Sequence, residues 1–373
     1  MKKKIGITGQ NGFVGSHLYN TLGLQPDKFE RIHFEREFFD NQEKFDEFVG
    51  QCDVIIHLAA MNRHHDPQVI YNNNIDLVKK LILSLEKTKS KAHVLFSSSS
   101  QEEKDNLYGQ SKKDGRELLA NWAEKSGGKF TGLIIPNVFG PFGKPNYNSF
   151  IATFCYKLTH GETPIIDNDG EVKLIYVGEL VQEIISQIDS EKTNTLYEVP
   201  NTSINKVSEV LQKLEHYKKL YLDNGEIPTL ETRFDLNLFN TFRCYFDIKN
   251  HYPVKFTQHT DPRGAFVEVI RLGVGGQCSF STTVPGITRG NHFHTRKIER
   301  FAVIKGKALI QLRKIDTDEV LDFYLNGNEP AYVDMPIWYT HNIKNIGEEE
   351  LYTIFWINEP FNPEDADTYF VEV

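Results

Sequence analysis

Two groups of residues in this chain could do chemistry, and each would do a different kind. The first is His292, His294, Glu299 and His341. His292 and His294 stand at i and i+2, so in a strand both side chains point to one face. Glu299 returns after a short break, and His341 lies in the strand-rich stretch that follows. Three imidazoles and a carboxylate suit a borderline divalent metal such as zinc. Such a set can leave a coordination position open for catalysis, or close and merely stiffen the fold. The second group is Tyr108 and Lys112, at i and i+4 and therefore on one face of a helix. An ammonium beside a phenol can lower its pKa, so that the tyrosine acts as a general acid near neutral pH. An amphipathic surface helix would carry the same pair with no chemical role. What favours chemistry is the serine run Ser97 to Ser100 just upstream, where a hydroxyl could bind the carbonyl oxygen that the phenol protonates.

Carbonyl reduction needs a hydride donor, and the start of the chain offers a place for one. Gly9-Gln10-Asn11-Gly12-Phe13-Val14-Gly15 reads G-x-x-G-x-x-G between a short strand, Ile5 to Thr8, and a helical pattern from Phe13 to Leu24. Glycines are needed where a backbone turns tightly and approaches a pyrophosphate, which then sits at a helix N-terminus. The expected cofactor contacts are Gly9, Gly12, Phe13, Val14 and Gly15, together with Leu58, Ala59 and Ala60 at the end of the next apolar run. The second strand is expected to end near Phe34-Glu35-Arg36. A carboxylate there would hold a ribose 2′-hydroxyl, and a guanidinium would accommodate a 2′-phosphate. With both present the reading is Arg36 and NADPH, with NAD as the alternative.

These groups need elements to carry them. Asp53 to Ala60 is a continuous apolar run, as in a parallel strand buried on both faces. Asn74 to Thr88 has helical spacing at Ile75, Val78, Leu81, Ile82 and Leu85. A strand at His93 to Ser97, a helix from Tyr108 to Lys125 and a strand at Gly132 to Pro136 continue the alternation. The pattern predicts an α/β, doubly wound parallel sheet of Rossmann type. Past residue 250 the rhythm changes to short strands, Ala308 to Arg313, Val320 to Leu325 and Leu351 to Trp356, which predict an all-β barrel or sandwich. Ser203 to Phe246 is largely helical and charged, so the expected boundary lies near His251, between residues 1–250 and 251–373.

The bulk properties agree with two such domains. A chain of 373 residues, 39% hydrophobic and 25% charged, has core enough for both. A net charge of −9 with no basic block argues against nucleic acid as a partner. Cys52, Cys155, Cys244 and Cys278 are far apart and form no C-x-x-C pair, as expected of reduced thiols in the cytoplasm. No apolar segment follows Lys2-Lys3-Lys4 and no run is long enough to span a membrane, so neither export nor a membrane partner is expected.

The first two-thirds of the chain resemble the extended short-chain dehydrogenase/reductase family. The resemblance rests on Gly9, Gly12 and Gly15, the Asp53–Ala60 strand, Asn74 opening its helix, the serine cluster, Tyr108 with Lys112, and Pro136-Asn137-Val138-Phe139-Gly140-Pro141. It implies Tyr108 as proton donor, Lys112 as its partner on the nicotinamide ribose, and Asn137 near the substrate's phosphates. Ser99 would bind the carbonyl, with Ser98 and Ser100 as rivals. Ser99-Ser100-Gln101 stands where sugar dehydratases carry Thr-Asp-Glu, so reduction is expected rather than dehydration.

The remainder is similar to cupins. Gly286-x5-His292-x-His294-x4-Glu299-x6-Gly306 follows the first cupin motif position by position. Pro336 to Asn345 follows most of the second, departing at Trp338 and at Pro330, where glycines are usual. Asp261-Pro262-Arg263-Gly264-Ala265-Phe266-Val267-Glu268 and Arg289-Gly290-Asn291-His292 resemble elements of dTDP-sugar 3,5-epimerases, themselves cupins, in which a histidine abstracts a proton alpha to a ketone. Here His292 belongs to the metal set, so His294, Lys297 and Tyr339 are the candidate bases.

In this order the two parts resemble the bifunctional UDP-sugar enzymes of bacterial capsule synthesis, the CapF type. Lys144 to Ser149, Ala152 to Lys157 and Asp367 to Phe370 add to that likeness. It implies a homodimer whose cupin epimerises C3 of a UDP-2-acetamido-2,6-dideoxy-4-hexulose, a UDP-4-keto-6-deoxy-HexNAc. The N-terminal domain would then reduce the C4 ketone with NADPH to UDP-2-acetamido-2,6-dideoxy-L-talose, on the route to UDP-N-acetyl-L-fucosamine. The C4 ketone acidifies the C3 proton, so reduction must come second. Two other readings stand beside this one: a sensor of NADP or sugar with no catalysis, which would leave Tyr108 and Lys112 idle, and a reductase whose cupin only mediates dimerisation.

Overall fold

The computed structural model describes residues 2–190, 192–261, 264–267, 269–270, 275–359 and 362–373. The chain forms two compact units. One comprises residues up to Thr153 with Ile165–Val210, the other Phe154–Pro164 with Leu211–Val373.

The first unit is built on five strands, β1 (Lys3–Thr8), β2 (Phe29–Ile32), β3 (Val54–His57), β4 (His93–Ser99) and β5 (Phe130–Ile135), extended by Asn194–Glu198. They form one sheet in the order β2-β1-β3-β4-β5 and then Asn194–Glu198, with every pairing parallel. This is the expected doubly wound sheet. Helices α1 (Phe13–Gly23), α2 (Gln42–Gln51), α3 (Pro67–Lys87) and α4 (Leu107–Ser126) connect the strands. The strands alternate between two cores. Ile55 joins Phe45, Phe48, Leu81 and Phe130 on one side, while Val54 and Ile56 join Leu18, Leu22, Leu133 and Val181 on the other. Each such side chain contributes about 1.5–3 kcal/mol by leaving water. The strand order reverses between β1 and β3, and the carboxyl ends of strands at such a switch point are where ligands bind.

Two element boundaries differ from the sequence reading. α3 starts at Pro67 rather than at Asn74, because Asp66 caps it by accepting from the Gln68 amide and Pro67 occupies the first turn. Asn74 is therefore mid-helix and buried. β2 ends at Ile32, short of Glu35 and Arg36.

The second unit holds two five-stranded antiparallel sheets. One runs Val254–Lys255, Ala331–Met335, Glu299–Lys305, Leu351–Ile357, Gln277–Thr283. The other runs Val320–Asn326, Lys307–Lys314, Tyr339–Asn345, Thr288–Phe293, Tyr369–Phe370. The all-β expectation for this end of the chain holds. The compact unit reaches back past His251 to Leu211, and the reason is a buried polar network. Arg300 donates to Asp334 at 2.8 and 3.0 Å and to the Gly225 carbonyl at 2.9 Å. Tyr221 donates to Asp334 at 2.6 Å, and Arg243 donates to the Met335 carbonyl at 3.1 Å. Buried charges persist only when paired and hydrogen-bonded, so this segment is tied to the strands. No helix among the described residues is long and apolar enough to cross a membrane.

Candidate active sites

In the first unit a cavity of about 570 Å³ opens at the carboxyl ends of β1, β3, β4 and β5. Gly9, Gly12, Phe13, Val14 and Gly15 line it, with Leu58, Ala59, Ala60, Ser97 to Ser100, Tyr108, Lys112 and Asn137. Sequence spacing thus gathered all but one of the predicted N-terminal residues. Arg36 is the exception; it is exposed in the 3-10 turn after β2 and is not part of the lining.

The glycines are required by geometry. Gly9 has φ +78°, and a Cβ on Gly15 would stand 2.1 Å from the Gly9 carbonyl oxygen. α1 follows Gly12 at its N-cap, with no side-chain cap and no acidic residue in its first turn, so its amides are open to the cavity as an anion cradle. A dinucleotide's pyrophosphate fits that cradle.

The polar wall is set by α4 and the end of β4. Lys112 is buried, and its Nζ donates to the Ser97 carbonyl at 2.8 Å. It lies 5.9 Å from the centre of the Tyr108 ring. Burial pulls the Lys112 ammonium down to about 8, with Glu102 partly opposing the shift. Burial pushes the Tyr108 phenol up to about 12, reinforced by Tyr147. This corrects the expectation of a lowered phenol: burial sets the direction, and the nearby ammonium is aimed at the Ser97 carbonyl. A phenol so shifted is fully protonated at neutral pH, which suits a proton donor.

The serines separate by their partners. Ser97 donates to the His57 carbonyl at 3.1 Å, and Ser98 donates to Glu102. Ser99 accepts from the Gln101 amide at 3.2 Å, which leaves its own proton for a ligand, and Ser100 is exposed. Asn137 is exposed, and its amide donates to the Lys173 carbonyl at 3.3 Å. Sequence reasoning assigned no role to Lys144, Tyr147, Asn148 and Ser149, which line the same cavity. Their loop is held by Arg63, which donates to the Asn146 carbonyl at 2.6 Å. The run Lys144 to Ser149 was visible, but an 83-residue separation from Arg63 hid the contact. Asn74 was also missed as a brace. It accepts from the Met61 amide at 2.7 Å and donates to Ser111 at 3.0 Å, locking α3 to the helix that carries Tyr108.

In the second unit His292, His294, Glu299 and His341 converge, with one ligand atom from each lying within 4.8 Å of the others. Thr288–Phe293 and Tyr339–Asn345 pair so that His292 is opposite His341, and Glu299 comes from the other sheet. A bulge at Asn291, with φ +60°, re-aims His292. Glu299 Oε2 lies 3.0 Å from His294 Nε2, 3.1 Å from His341 Nε2 and 4.0 Å from His292 Nε2. The first three of these atoms are buried with no hydrogen-bond partner. Meanwhile Nδ1 of His294 faces the Asp367 carbonyl, and Nδ1 of His341 lies 3.2 Å from the Tyr339 carbonyl. That arrangement leaves the Nε2 lone pairs pointing at one spot, as metal-ligating histidines require. Buried polar atoms are seldom left unpaired, so the donor set fits a divalent cation.

Electrostatics agree with strong coupling at this point. Burial, joined by the neighbouring imidazole of His341, drops His292 to about 4. Burial alone would raise Glu299, yet His294 and His341 hold it well below the usual carboxylate range. Asp367 was not singled out for this site. Its carboxylate accepts from the Thr295, Arg296 and Lys297 amides at 3.1, 3.0 and 3.1 Å, fixing the turn between His294 and Glu299. Of the candidate bases, Lys297 is buried and donates to the Ala366 carbonyl at 2.7 Å, His294 is in the ligand set, and burial raises the Tyr339 phenol. Trp338 keeps the turn that a glycine would favour. It has φ +61°, donates its amide to the His294 carbonyl at 2.8 Å, and stacks on Phe293. The departure from the motif changes the residue and leaves the left-handed backbone in place. Of the element resembling the dTDP-sugar epimerases, Pro262, Arg263 and Glu268 lie outside the described residues.

Comparison with known proteins follows the same division. Residues 5–199 match the NAD dependent epimerase/dehydratase family. The chain belongs to that family. Residues 259–369 match the polysaccharide biosynthesis C-terminal domain. A relative from Pseudomonas aeruginosa, UDP-2-acetamido-2,6-beta-L-arabino-hexul-4-ose reductase, is 32% identical over 378 residues, covering 99% of both chains. The capsular polysaccharide assembling protein CapF from Staphylococcus aureus is 36% identical, with a TM-score of 0.63 over 99% of this chain and 100% of that one. The spore coat polysaccharide biosynthesis protein SpsL of Bacillus subtilis is 27% identical over 123 residues, covering 30% of this chain and 82% of its own. Both family domains, in the same order and over the full length, make this a protein of CapF type.

Proposed function

We propose that this chain is a bifunctional enzyme of capsular nucleotide-sugar synthesis. Its C-terminal unit, a metal-binding cupin, epimerises C3 of a UDP-2-acetamido-2,6-dideoxy-4-hexulose. Its N-terminal unit then reduces the C4 ketone with NADPH to UDP-2-acetamido-2,6-dideoxy-L-talose, a step toward UDP-N-acetyl-L-fucosamine. The observation that carries this reading is the full-length likeness to a UDP-hexul-4-ose reductase in a chain that also gathers three imidazoles and a carboxylate at one buried point.

Bound NADPH would supply the hydride for C4. Tyr108, protonated at neutral pH, gives its proton to the C4 oxygen, and Ser99 donates a hydrogen bond to the same oxygen. Lys112 holds the cofactor ribose with a positive charge beside the phenol. Gly9, Gly12 and Gly15 keep the backbone clear for the pyrophosphate, and Arg36, exposed after β2, takes the 2′-phosphate. Asn137 binds near the substrate's phosphates. A zinc ion held by His292, His294, Glu299 and His341 would supply Lewis acidity that eases loss of the C3 proton. The chain acts as a homodimer, with residues 1–250 as the reductase part and 251–373 as the epimerase part.

The test is direct. Purified protein should carry about one zinc per chain and should oxidise NADPH when given a UDP-4-keto-6-deoxy-HexNAc. Metal-loaded protein that leaves NADPH unconsumed with that substrate contradicts the reading.

A further inference from the structure

Glu102 lies behind the serine run, and no part of the reductase reading above uses it. Its carboxylate accepts from Arg116 Nε at 2.9 and 3.2 Å and from Nη2 at 2.8 Å. It also accepts from the Ser98 hydroxyl. The two charged side chains are only 9% and 8% exposed. The pocket for this pair is built in: a Cβ on Gly132 of β5 would stand 2.6 Å from Arg116 Cδ and 2.5 Å from the Thr195 carbonyl oxygen. Arg116 Nη1 donates to that same carbonyl at 3.3 Å. On the other side, a Cβ on Gly109 of α4 would stand 2.0 Å from the Gln101 carbonyl oxygen. The turn bearing Glu102 is thus pressed onto the helix that carries Tyr108 and Lys112.

We propose that Glu102 is a positioning residue for carbonyl reduction. Clamped by Arg116, it accepts the Ser98 hydrogen bond and fixes the segment from Ser97 to Gln101 on α4, so that Ser99 faces the reacting carbonyl while Lys112, held on the Ser97 carbonyl, stays beside Tyr108. Side chains at successive strand positions point to opposite faces, so holding Ser98 also sets which way Ser99 points. The inference rests on the reductase reading of this cavity. It also gives Glu102 a second effect, because its charge supports the Lys112 ammonium across a buried space. The groups facing Lys112 are Tyr108 on its own helix, Glu102 on the 3-10 turn, the Ser97 carbonyl and the Phe96 ring on β4, and His57 on β3, while Arg116 is turned to Glu102 and the Thr195 carbonyl. His57 is driven down to about 3 by burial and by Lys112, so it stays neutral through the working range.

The experiment compares the pH dependence of NADPH-linked reduction in wild type, Glu102→Gln and the double variant Glu102→Gln/Arg116→Met. Activity needs the Lys112 ammonium and is lost as pH rises through its pKa. Removing the Glu102 charge should therefore move the alkaline limb of kcat/KM to lower pH by about one unit. It should also lower kcat about tenfold while KM for NADPH changes less than about threefold. The double variant leaves no unpaired buried guanidinium, so it should regain thermal stability yet keep the displaced limb. Unaltered limb and kcat in Glu102→Gln, or their full recovery in the double variant, would mean that the pair serves only stability, and would overturn the proposal alone. A wild type that oxidises no NADPH with the ketosugar overturns the reductase reading and this proposal with it.

Discussion

The two sites are built on opposite plans. The cavity of the first unit is shaped by what its residues lack: Gly9 and Gly15 leave room for a backbone to approach a ligand, and a helix end supplies the charge. The site of the second unit is shaped by what its residues bring, four lone-pair donors meeting within 4.8 Å. The proposed ligands account for the contrast. A dinucleotide spreads its charge over many atoms and is held by a row of amides, whereas a cation is a point and needs lone pairs aimed at it. The first site should therefore be most sensitive to atoms added, and the second to atoms removed.

The largest expected effect follows from removal. In His341→Ala, which leaves Glu299 buried beside fewer partners, exchange of the C3 proton should fall about a thousandfold. NADPH binding, measured by fluorescence, should stay within twofold of wild type; a parallel loss of NADPH binding would break the contrast. Next comes addition. In Gly15→Ala the new methyl group meets the Gly9 carbonyl oxygen at 2.1 Å. Overpacking of this kind should cost about 1–3 kcal/mol of stability by chemical denaturation and weaken NADPH at least about tenfold, with C3 exchange retained. The smallest effect is a pH dependence of the first site. The folded Lys112 titrates near 8, below its ordinary 10.5. Between those values the unfolded chain holds the extra proton, so this group adds stability as pH rises through that window. Turnover should fall over the same window, and denaturation and initial-rate profiles on one protein would show the two trends crossing.

Much of both sites was legible in the sequence because it is written locally. The G-x-x-G-x-x-G turn, the i, i+4 pair on α4 and the i, i+2 histidines each encode their geometry within a few residues. Strand register brings His292 opposite His341, whereas His294 falls just past the end of the first strand and Glu299 comes from the other sheet. What stayed hidden depends on distant contacts. Asp367 braces the ligand turn from 72 residues away, and Arg63 reaches the loop of Lys144 across 83. The start of α3 was misplaced because periodicity reveals a helix's buried stripe, and the turn from Pro67 that precedes it carries little of that stripe. The segment before His251 was read with the first domain because its helical, charged pattern is visible in sequence, while the pairing of Arg243 and Tyr221 with groups near Asp334 is not. The Tyr108 phenol moved the other way from expectation because burial cannot be read from a pair of residue types.

The division of labour between the two units is tested most directly with Tyr108→Phe protein, zinc-loaded and given a UDP-2-acetamido-2,6-dideoxy-4-hexulose in deuterium oxide with NADPH present. Reduction should fall by about 10²–10⁴-fold, while deuterium appears at C3 of the recovered ketosugar at the wild-type rate. A Tyr108→Phe protein that loses C3 exchange along with reduction, or a wild-type protein that reduces the ketone with the C3 hydrogen untouched, would contradict the claim that one unit loosens the proton and the other delivers the hydride.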